Sequence, residues 1–535
     1  MRELRIFAVS FLLLTAFLSF SQTKDETAIK FAKIISAEDA KKHLSVLASD
    51  EYEGRETGKE GQKKAAKYIA ENFKSIGLKP AINETYLQQF PLRLNTPQEP
   101  KLKIGKTEYE NLRDYYVFPF REDVEMKADN IIFLGYGISD SSYDDYKNSD
   151  STNGGESVKN KILLVLGGEP MSNDSVSFIT GTKDFSDWTN NYRKKSELAA
   201  NKGAAALIVI NNNFDLNVQY LKNFLESPTM KLSGEKPEKK SENKKIPQIG
   251  ISIKTANEIL SGEKINVDDI RKKILSSRQT VSLKIKSSFN LTIKNKEDTI
   301  GSENVLGIIK GSEFPDEFVF VTAHYDHLGV INGKVYNGAD DDGSGTAGVL
   351  EIANAFAKAK EAGFTPKRTI VFMTVAGEEK GLLGSSYYIN NPVFPIEKTV
   401  CDLNIDMIGR GDDEHKNDSN FVYIIGSDKI STDLHKINEN ANATYTKLKL
   451  DYKYNDINDP NRFYYRSDHY NFAKKGVPII FYFNGVHDDY HQETDEVSKI
   501  NFNLLARRAQ LVFYTAWEVA NRKDRIKSDV MQEKK

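Results

Sequence analysis

The sequence predicts an α/β fold, a mainly parallel-to-mixed central sheet flanked by helices, interrupted by an inserted β-rich domain. Three observations carry this expectation. Runs at 318–321, 369–375, 400–405 and 478–483 are mostly apolar on both faces, as strands covered on both sides are. Helical patterns separate these runs, which suits crossover connections and parallel neighbours. Between about residues 100 and 290 the texture changes to short β-rich runs broken by turns.

A chain of 535 residues exceeds what one core usually serves, so two domains are expected. The expected division is an export signal at 1–21, a helical part of the main domain at 22–100, the insert at 101–290, the rest of the main domain at 291–525, and a polar tail at 526–535.

Arg2 and Arg5 precede an apolar run over 6–18, and small Ser19 and Ser21 follow it. That is the composition of a cleaved export signal ending near Ser21-Gln22, so a periplasmic or secreted location is expected. The run is shorter than the ~20 residues needed to cross a bilayer, so no integral membrane span is expected after cleavage. No cysteine follows it to carry a lipid. Ala37 opens a helical pattern ending near Ala48, and a polar loop spans 50–58. A second helix, from about Gly61 to Ile76, places Ala65, Ala66, Ile69, Ala70 and Phe73 on one face, with Gly77 as its C-terminal cap.

Within the insert, strands are expected at 130–136 and 161–166, then a helix over 192–202 leading into an apolar strand at 204–210. The lysine-rich tract 231–240 reads as a solvated loop. The insert contains no histidine, so histidine chemistry lies elsewhere. From residue 302 onward the expected order is strands at 305–309 and 318–321, a helix over 344–362, a strand at 369–375 and a short helix near Leu382. Strands at 400–406, 421–425 and 478–483 follow, and a closing helix spans 502–520.

The 74 basic and 76 acidic side chains nearly balance, for a net charge of −2. That balance suggests neither a nucleic-acid surface nor a polybasic membrane patch. Cys401 is the only cysteine, so no intramolecular disulfide forms and stability rests on core burial or bound metal. It sits in an apolar run and reads as a small buried residue, not a nucleophile. Oligomeric state is not legible.

The chemistry-bearing residues stand at strand exits. His324 follows 318–321, Glu378 and Glu379 follow 369–375, and Asp406 closes 400–405. Asp340 lies in the glycine-rich turn 337–345, and His491 in the loop after 478–483. Open α/β sheets place their sites at the carboxyl ends of strands, so separate strands deliver two histidines and three or four carboxylates to one edge. These are the nitrogen and oxygen ligands that zinc takes at about 2.0–2.2 Å. A calcium site would use more oxygens and no histidine. Of the adjacent Glu378 and Glu379, one can bind metal while the other takes a proton from activated water. The plainer reading of the pair is an acidic first turn of a helix. Asp326 is read as accepting a hydrogen bond from the second ring nitrogen of His324. His469 is expected near the site, and His327 and His487 as its polar neighbours. His43, His415 and His435 read as surface or structural.

Residues 305–521, with the helical opening around 37–80, resemble the co-catalytic dizinc aminopeptidases, whose relatives include bacterial secreted leucine aminopeptidases and glutamate carboxypeptidase II. The resemblance is carried by His324-Tyr325-Asp326, by Gly338-Ala339-Asp340-Asp341-Asp342-Gly343-Ser344-Gly345 and by Gly377-Glu378-Glu379-Lys380-Gly381-Leu382-Leu383-Gly384-Ser385. Asp406-Met407 and Tyr490-His491 complete it. The insert looks like a protease-associated domain, on its texture and on the stretch from Lys194 to Ile210.

The resemblance implies a zinc exopeptidase fold and two zinc ions per chain, with Asp340 bridging them. His324 and Asp406 would complete one ion, and Glu379 and His491 the other. Glu378 would act as general base and acid, and Tyr490 would help hold the oxyanion. Peptides are the implied substrates, and an exported zinc aminopeptidase the implied activity. A carboxypeptidase or dipeptidase of the same family would need a cationic pocket, which Arg410, Arg462 and Arg466 could build. A glutaminyl cyclase-like acyltransferase uses one zinc, against the full set of ligands for two. A non-catalytic peptidase-fold binding protein would be expected to have lost ligands, and none is missing.

Overall fold

The computed structural model describes residues 24–120, 122–147, 157–191, 193–234 and 245–530. The expected export signal, the last five residues of the expected tail and residues 235–240 of the lysine-rich tract lie outside them. The described residues fall into two compact units, those up to Phe90 together with those from Gly301, and those between Pro91 and Ile300. The divisions fall within strands Leu87–Pro97 and Asn295–Ile309, so no loop in the sequence marks them. The expected boundaries lay ten residues inside these, at 100/101 and 290/291.

The first unit is built on a mixed sheet. Strands Arg368–Val375, Phe314–His324, Thr399–Ile405 and Ile479–Phe483 lie side by side in parallel. Residues 305–309 pair antiparallel to Arg368–Val375 on one side, and Phe421–Ile425 antiparallel to Ile479–Phe483 on the other. Every residue of Arg368–Val375 and Thr399–Ile405 is buried, which is why these runs are mostly apolar on both faces, with the polar Asp402 and Asn404 meeting Thr322 Oγ1.

Helices cover both faces. On one side Phe320, Val371 and Met373 pack with Tyr388 of helix Leu383–Asn390 and Phe472 of helix His469–Ala473. On the other, Phe372 meets Phe356 of helix Gly345–Glu361, which in turn meets Phe513 of helix Phe502–Asn521. Helix Gly345–Glu361 is buried along nearly its whole length, as its Ala-rich, all-round apolar sequence requires. Helices Ala37–Leu47 and Glu60–Ser75 fall where expected. Gly77 ends the second with a left-handed φ of 80°, a conformation that costs glycine nothing.

Residues 91–300 form an α/β unit with more helix than its sequence suggests. Strands Ile131–Leu134, Ile162–Leu166, Ala206–Asn211 and Gln248–Ser252 are parallel neighbours. Antiparallel edge strands Ser282–Ile285 and Tyr115–Val117 flank them. A four-stranded antiparallel sheet, in the order Thr107–Tyr109, Lys101–Ile104, Phe289–Ile293 and Val124–Ala128, shares their core. The expected helix is present as Lys194–Asn201, and helices Phe214–Glu226, Ile253–Leu260 and Val267–Ser277 join it. Lys231 and Leu232, expected in a loop, belong to strand Thr229–Leu232, paired with Leu92 and Arg93. Among the described residues no helix is long and apolar enough to cross a membrane.

Candidate metal centre

The four parallel strands of the first unit deliver their exits to one edge. His324 ends Phe314–His324, Glu378 and Glu379 follow Arg368–Val375, Asp406 follows Thr399–Ile405, and His491 comes from the loop after Ile479–Phe483. Their side chains meet around Asp341. His324 Nε2 lies 3.2 Å from Asp341 Oδ1 and 3.6 Å from Asp406 Oδ1. His491 Nε2 lies 3.1 Å from Asp341 Oδ2 and 3.1 Å from Glu379 Oε2. Each imidazole nitrogen therefore faces two carboxylates, and the Asp341 carboxylate is shared.

Two readings of the sequence change here. Asp340, expected at the shared position, does not reach it. Its Oδ1 accepts from the Gly409 N–H at 2.6 Å, and its Oδ2 lies 3.2 Å from His487 Nε2. The next residue takes the place, because Asp495 accepts from the backbone N–H groups of both Asp340 and Asp341 and fixes how the turn presents them. Asp326 also differs from expectation. His324 Nδ1 faces the Asp326 main-chain oxygen at 3.1 Å, while the Asp326 carboxylate is 3.7 Å away. That carboxylate instead accepts from Thr57 Oγ1 at 2.6 Å and from the Glu378 N–H at 3.2 Å, so it anchors the loop that carries the two glutamates.

Asp342 is also close. Donor atoms of His324, Asp342 and Asp406 lie within 4.8 Å of one another, as do those of His327, Asp341 and Glu379. The Asp342 carboxylate, however, accepts from three backbone N–H groups, those of His324, Gly345 and Met407. That load makes it a brace between two strand exits. Asp341 carries no such load from the backbone. Ser467 Oγ donates to Asp406 Oδ2 at 2.7 Å, which leaves Oδ1 toward His324.

His327 is fully buried, and its Nδ1 lies 2.8 Å from Glu379 Oε1. Among the described residues neither atom has an aligned hydrogen bond. His327 thus borders Glu379 on one side while His491 borders it on the other. His469, expected near the site, is not part of the cluster. Its ring stacks on Phe481, its Nε2 meets the Tyr464 carbonyl at 2.9 Å, and burial lowers its pKa to about 3. Tyr490 stacks on His491 with ring centroids 3.9 Å apart, and its hydroxyl accepts from Arg466 at 3.2 Å. Arg410 is taken up by Asp489 at 2.7 Å and by His487, and Arg462 stacks on Tyr465, so of the three arginines only Arg466 lines the site.

Sequence reasoning missed Arg55. It is buried, and its guanidinium donates to the carbonyls of Leu47, Tyr325, Asn337 and Gly338, pinning the His324 and aspartate loops to the N-terminal helices. Gly338 has φ 53°, and a Cβ there would stand 2.4 Å from the His327 ring. No local pattern announces either residue.

The electrostatics follow from packing opposite charges together. Burial opposes the charge on His491, yet hydrogen bonds to Asp341 and Glu379 outweigh it and raise its pKa to about 10. The same contest raises His324 well above its ordinary value, with Asp406 the main attraction. Burial and Asp341 act to raise Glu379, but His327 and His491 bring it down to about 2. Glu378 goes the other way. Burial raises it well above the usual carboxylate range, and although His324 opposes, Glu379 and Asp406 add to the rise.

Comparison with known proteins places two regions of the chain. Residues 304–516 match the model of peptidase family M28, and residues 134–259 match the PA domain. A "probable zinc metalloprotease" of Pyrenophora teres f. teres is 26% identical over 47% of this chain and 58% of its own. A "probable leucine aminopeptidase" of Trichophyton verrucosum is 32% identical over 41% of this chain and 57% of its own. The chain thus spans little more than half the length of these relatives. The solved aminopeptidase from Aneurinibacillus sp. strain AM-1 shares the fold, with a TM-score of 0.54 at 18% identity, over 94% of this chain and 98% of that one. Residues 304–516 thus form a peptidase family M28 domain, and residues 134–259 a PA domain.

Proposed function

We propose that the chain is an exported two-zinc aminopeptidase that hydrolyses the first peptide bond of peptides. The observation that carries this reading is the Asp341 carboxylate shared between the His324 and His491 imidazoles, each with a second carboxylate beside it. The relatives' printed names, zinc metalloprotease and leucine aminopeptidase, support it.

The donor set fits zinc, being two imidazoles and three carboxylates, with a buried Glu379 oxygen that has no aligned hydrogen bond of its own. Zinc held by His324, Asp341 and Asp406, and by His491, Asp341 and Glu379, would polarise water and the scissile carbonyl as a Lewis acid. Glu378 takes the proton of the attacking water and returns it to the leaving amine. Its raised proton affinity suits both halves of that task. Asp326, through the Glu378 N–H, holds the base in place. The Tyr490 hydroxyl, with Arg466 beside it, stabilises the developing oxyanion. Phe463, Phe481, Phe483 and Val486 line a small cavity with Glu378 and Asp406, which suits an apolar first residue whose ammonium meets the carboxylates.

The test is a panel of aminoacyl-arylamides and N-acetylated peptides, assayed after chelation and after zinc is restored. Zinc-dependent turnover of free-amine substrates, with acetylated peptides resistant, is expected. Arg466 at the cavity favours a second reading, a carboxypeptidase, and release of C-terminal residues from acetylated peptides would establish that instead. A chain that takes up no zinc and cleaves nothing would be a binding protein on a peptidase fold. Export rests on the basic and apolar run at 2–18, and N-terminal sequencing of the mature chain should begin near Gln22.

A further inference from the structure

Residues 91–300 contain a cavity of about 1060 Å³, lined wholly by that unit's own residues. Gly167 and Gly168 leave strand Ile162–Leu166 at its edge, and Asn212 and Asn213 leave the adjacent parallel strand Ala206–Asn211. Carboxyl ends of neighbouring parallel strands are where α/β sheets leave a crevice for ligands. The cavity matches a site for a drug-sized ligand or a short peptide.

One wall is helix Phe214–Glu226. Its Asn217, Tyr220, Leu221 and Phe224 all line the cavity, at the i, i+3, i+4, i+7 spacing of a single helix face. That face is left open. Tyr220 is 80% exposed, Phe224 47%, and Phe185, which also lines the cavity, 55%. The helix needs no second apolar stripe to stay folded onto its unit, because Phe214 and Leu225 already bury beside Tyr116. An open stripe of aromatic side chains beside a crevice is the signature of a surface kept for a partner.

Charge narrows the partner. Lys195, Arg271 and Lys272 line the cavity against one carboxylate, Glu169. Glu169 is occupied by the hydroxyls of Ser177, Ser186 and Thr189. Lys195 is spent on the carbonyls of Leu166 and Gly168. Arg271 is held by the Asn212 side chain, with Asp268 at 3.6 Å, and its side chain stays 28% exposed. The crevice therefore presents aromatic surface with an excess of positive charge.

We propose that this cavity is a non-hydrolytic binding site for a short apolar peptide bearing a carboxylate, its side chains against Tyr220, Phe224 and Phe185 and its carboxylate toward Arg271. The site belongs to the inserted unit alone and does not depend on the peptidase reading.

The test uses the full chain and N-acetyl-Leu-Phe-Phe with a free C-terminus, which an aminopeptidase leaves intact. Binding is followed by calorimetry and by emission of Trp188, which lines the cavity, in a Trp517→Phe background, these being the two tryptophans of the chain. Saturable binding is expected with and without chelator. Tyr220→Ser and Phe224→Ser, both at exposed positions, should each weaken it about tenfold while arylamide turnover is unchanged. Amidating the peptide's C-terminus should weaken binding, and Arg271→Gln should abolish that difference. An amidated peptide with an internal glutamate that binds as tightly would place the carboxylate on a side chain, and the site would stand. No binding at millimolar peptide, or binding indifferent to both aromatic substitutions, overturns the proposal. So does a Tyr220-dependent dimer in sedimentation without peptide, which would assign the surface to a second copy of the chain.

Discussion

Asp340 and Asp341, neighbours in the chain, send their carboxylates to different partners. Asp340 meets the Gly409 amide and His487, and Asp341 meets His324 and His491. On the proposed reading the pair separates a ligand from a brace. Asp341→Ala should lose zinc by elemental analysis, and turnover should fall by about three orders of magnitude or more. Asp340→Asn should keep its zinc and stay within about tenfold of the parent's turnover. The opposite ranking would return Asp340 to the shared position.

Glu378 and Glu379 should part in the same way. Glu378→Gln should retain zinc and lose about a thousandfold in turnover, because it removes a proton carrier and leaves the ligands untouched. Glu379→Gln should lose zinc along with activity. Zinc lost from Glu378→Gln would make that residue a ligand rather than the base.

Zinc loading should release protons. The folded pKa of His491 in the metal-free chain is raised to about 10, against about 6.5 for free histidine. The pairing therefore stabilises the metal-free fold fully below about pH 6.5 and is lost as pH rises through 10. At pH 8 the ring still carries a proton that coordination must displace. Calorimetry in buffers of different ionisation heat should show about one proton or more released per chain at pH 8. Zinc uptake with no buffer dependence would contradict the pairing.

Asp402 makes a pH prediction away from the metal centre. It is fully buried, with Thr322 Oγ1 at 2.7 Å, and burial lifts its pKa to about 8. The unfolded chain releases this proton near pH 3.9 while the folded chain keeps it, so the residue's contribution to stability falls as pH rises from about 4 to 8. Asp402→Asn should flatten that fall and stabilise the protein by ~1–3 kcal/mol at pH 8, read from denaturant midpoints. A variant less stable than the parent at pH 8 would rule this out.

Much of the first unit can be read before it is folded, for reasons particular residues make plain. Arg368–Val375 and Thr399–Ile405 are buried on both faces, so their composition announces parallel strands, and the polar residues just beyond them mark the sheet edge. The choice among Asp340, Asp341 and Asp342 has no such local sign. It is made by the amides of Met407 and Gly409, which belong to another strand's exit, and by Asp495 from the far loop. His327 and His469 exchange places for the same reason, since burial beside Glu379 or against Phe481 is decided only by tertiary packing. Arg55 acts through four carbonyls that leave no trace in side-chain pattern. In the insert, helix Phe214–Glu226 hides because it carries apolar residues on two faces, which blurs its period.

The centre is assembled from a histidine that closes one strand, carboxylates that leave two others, and His491, which follows the last strand of its sheet. A nascent chain on the ribosome accordingly holds only part of the ligand set until the loop beyond Phe483 has emerged and docked. The full ligand set thus waits on the last of the sheet's strands, after which helix Phe502–Asn521 can settle against Phe356 and close the unit.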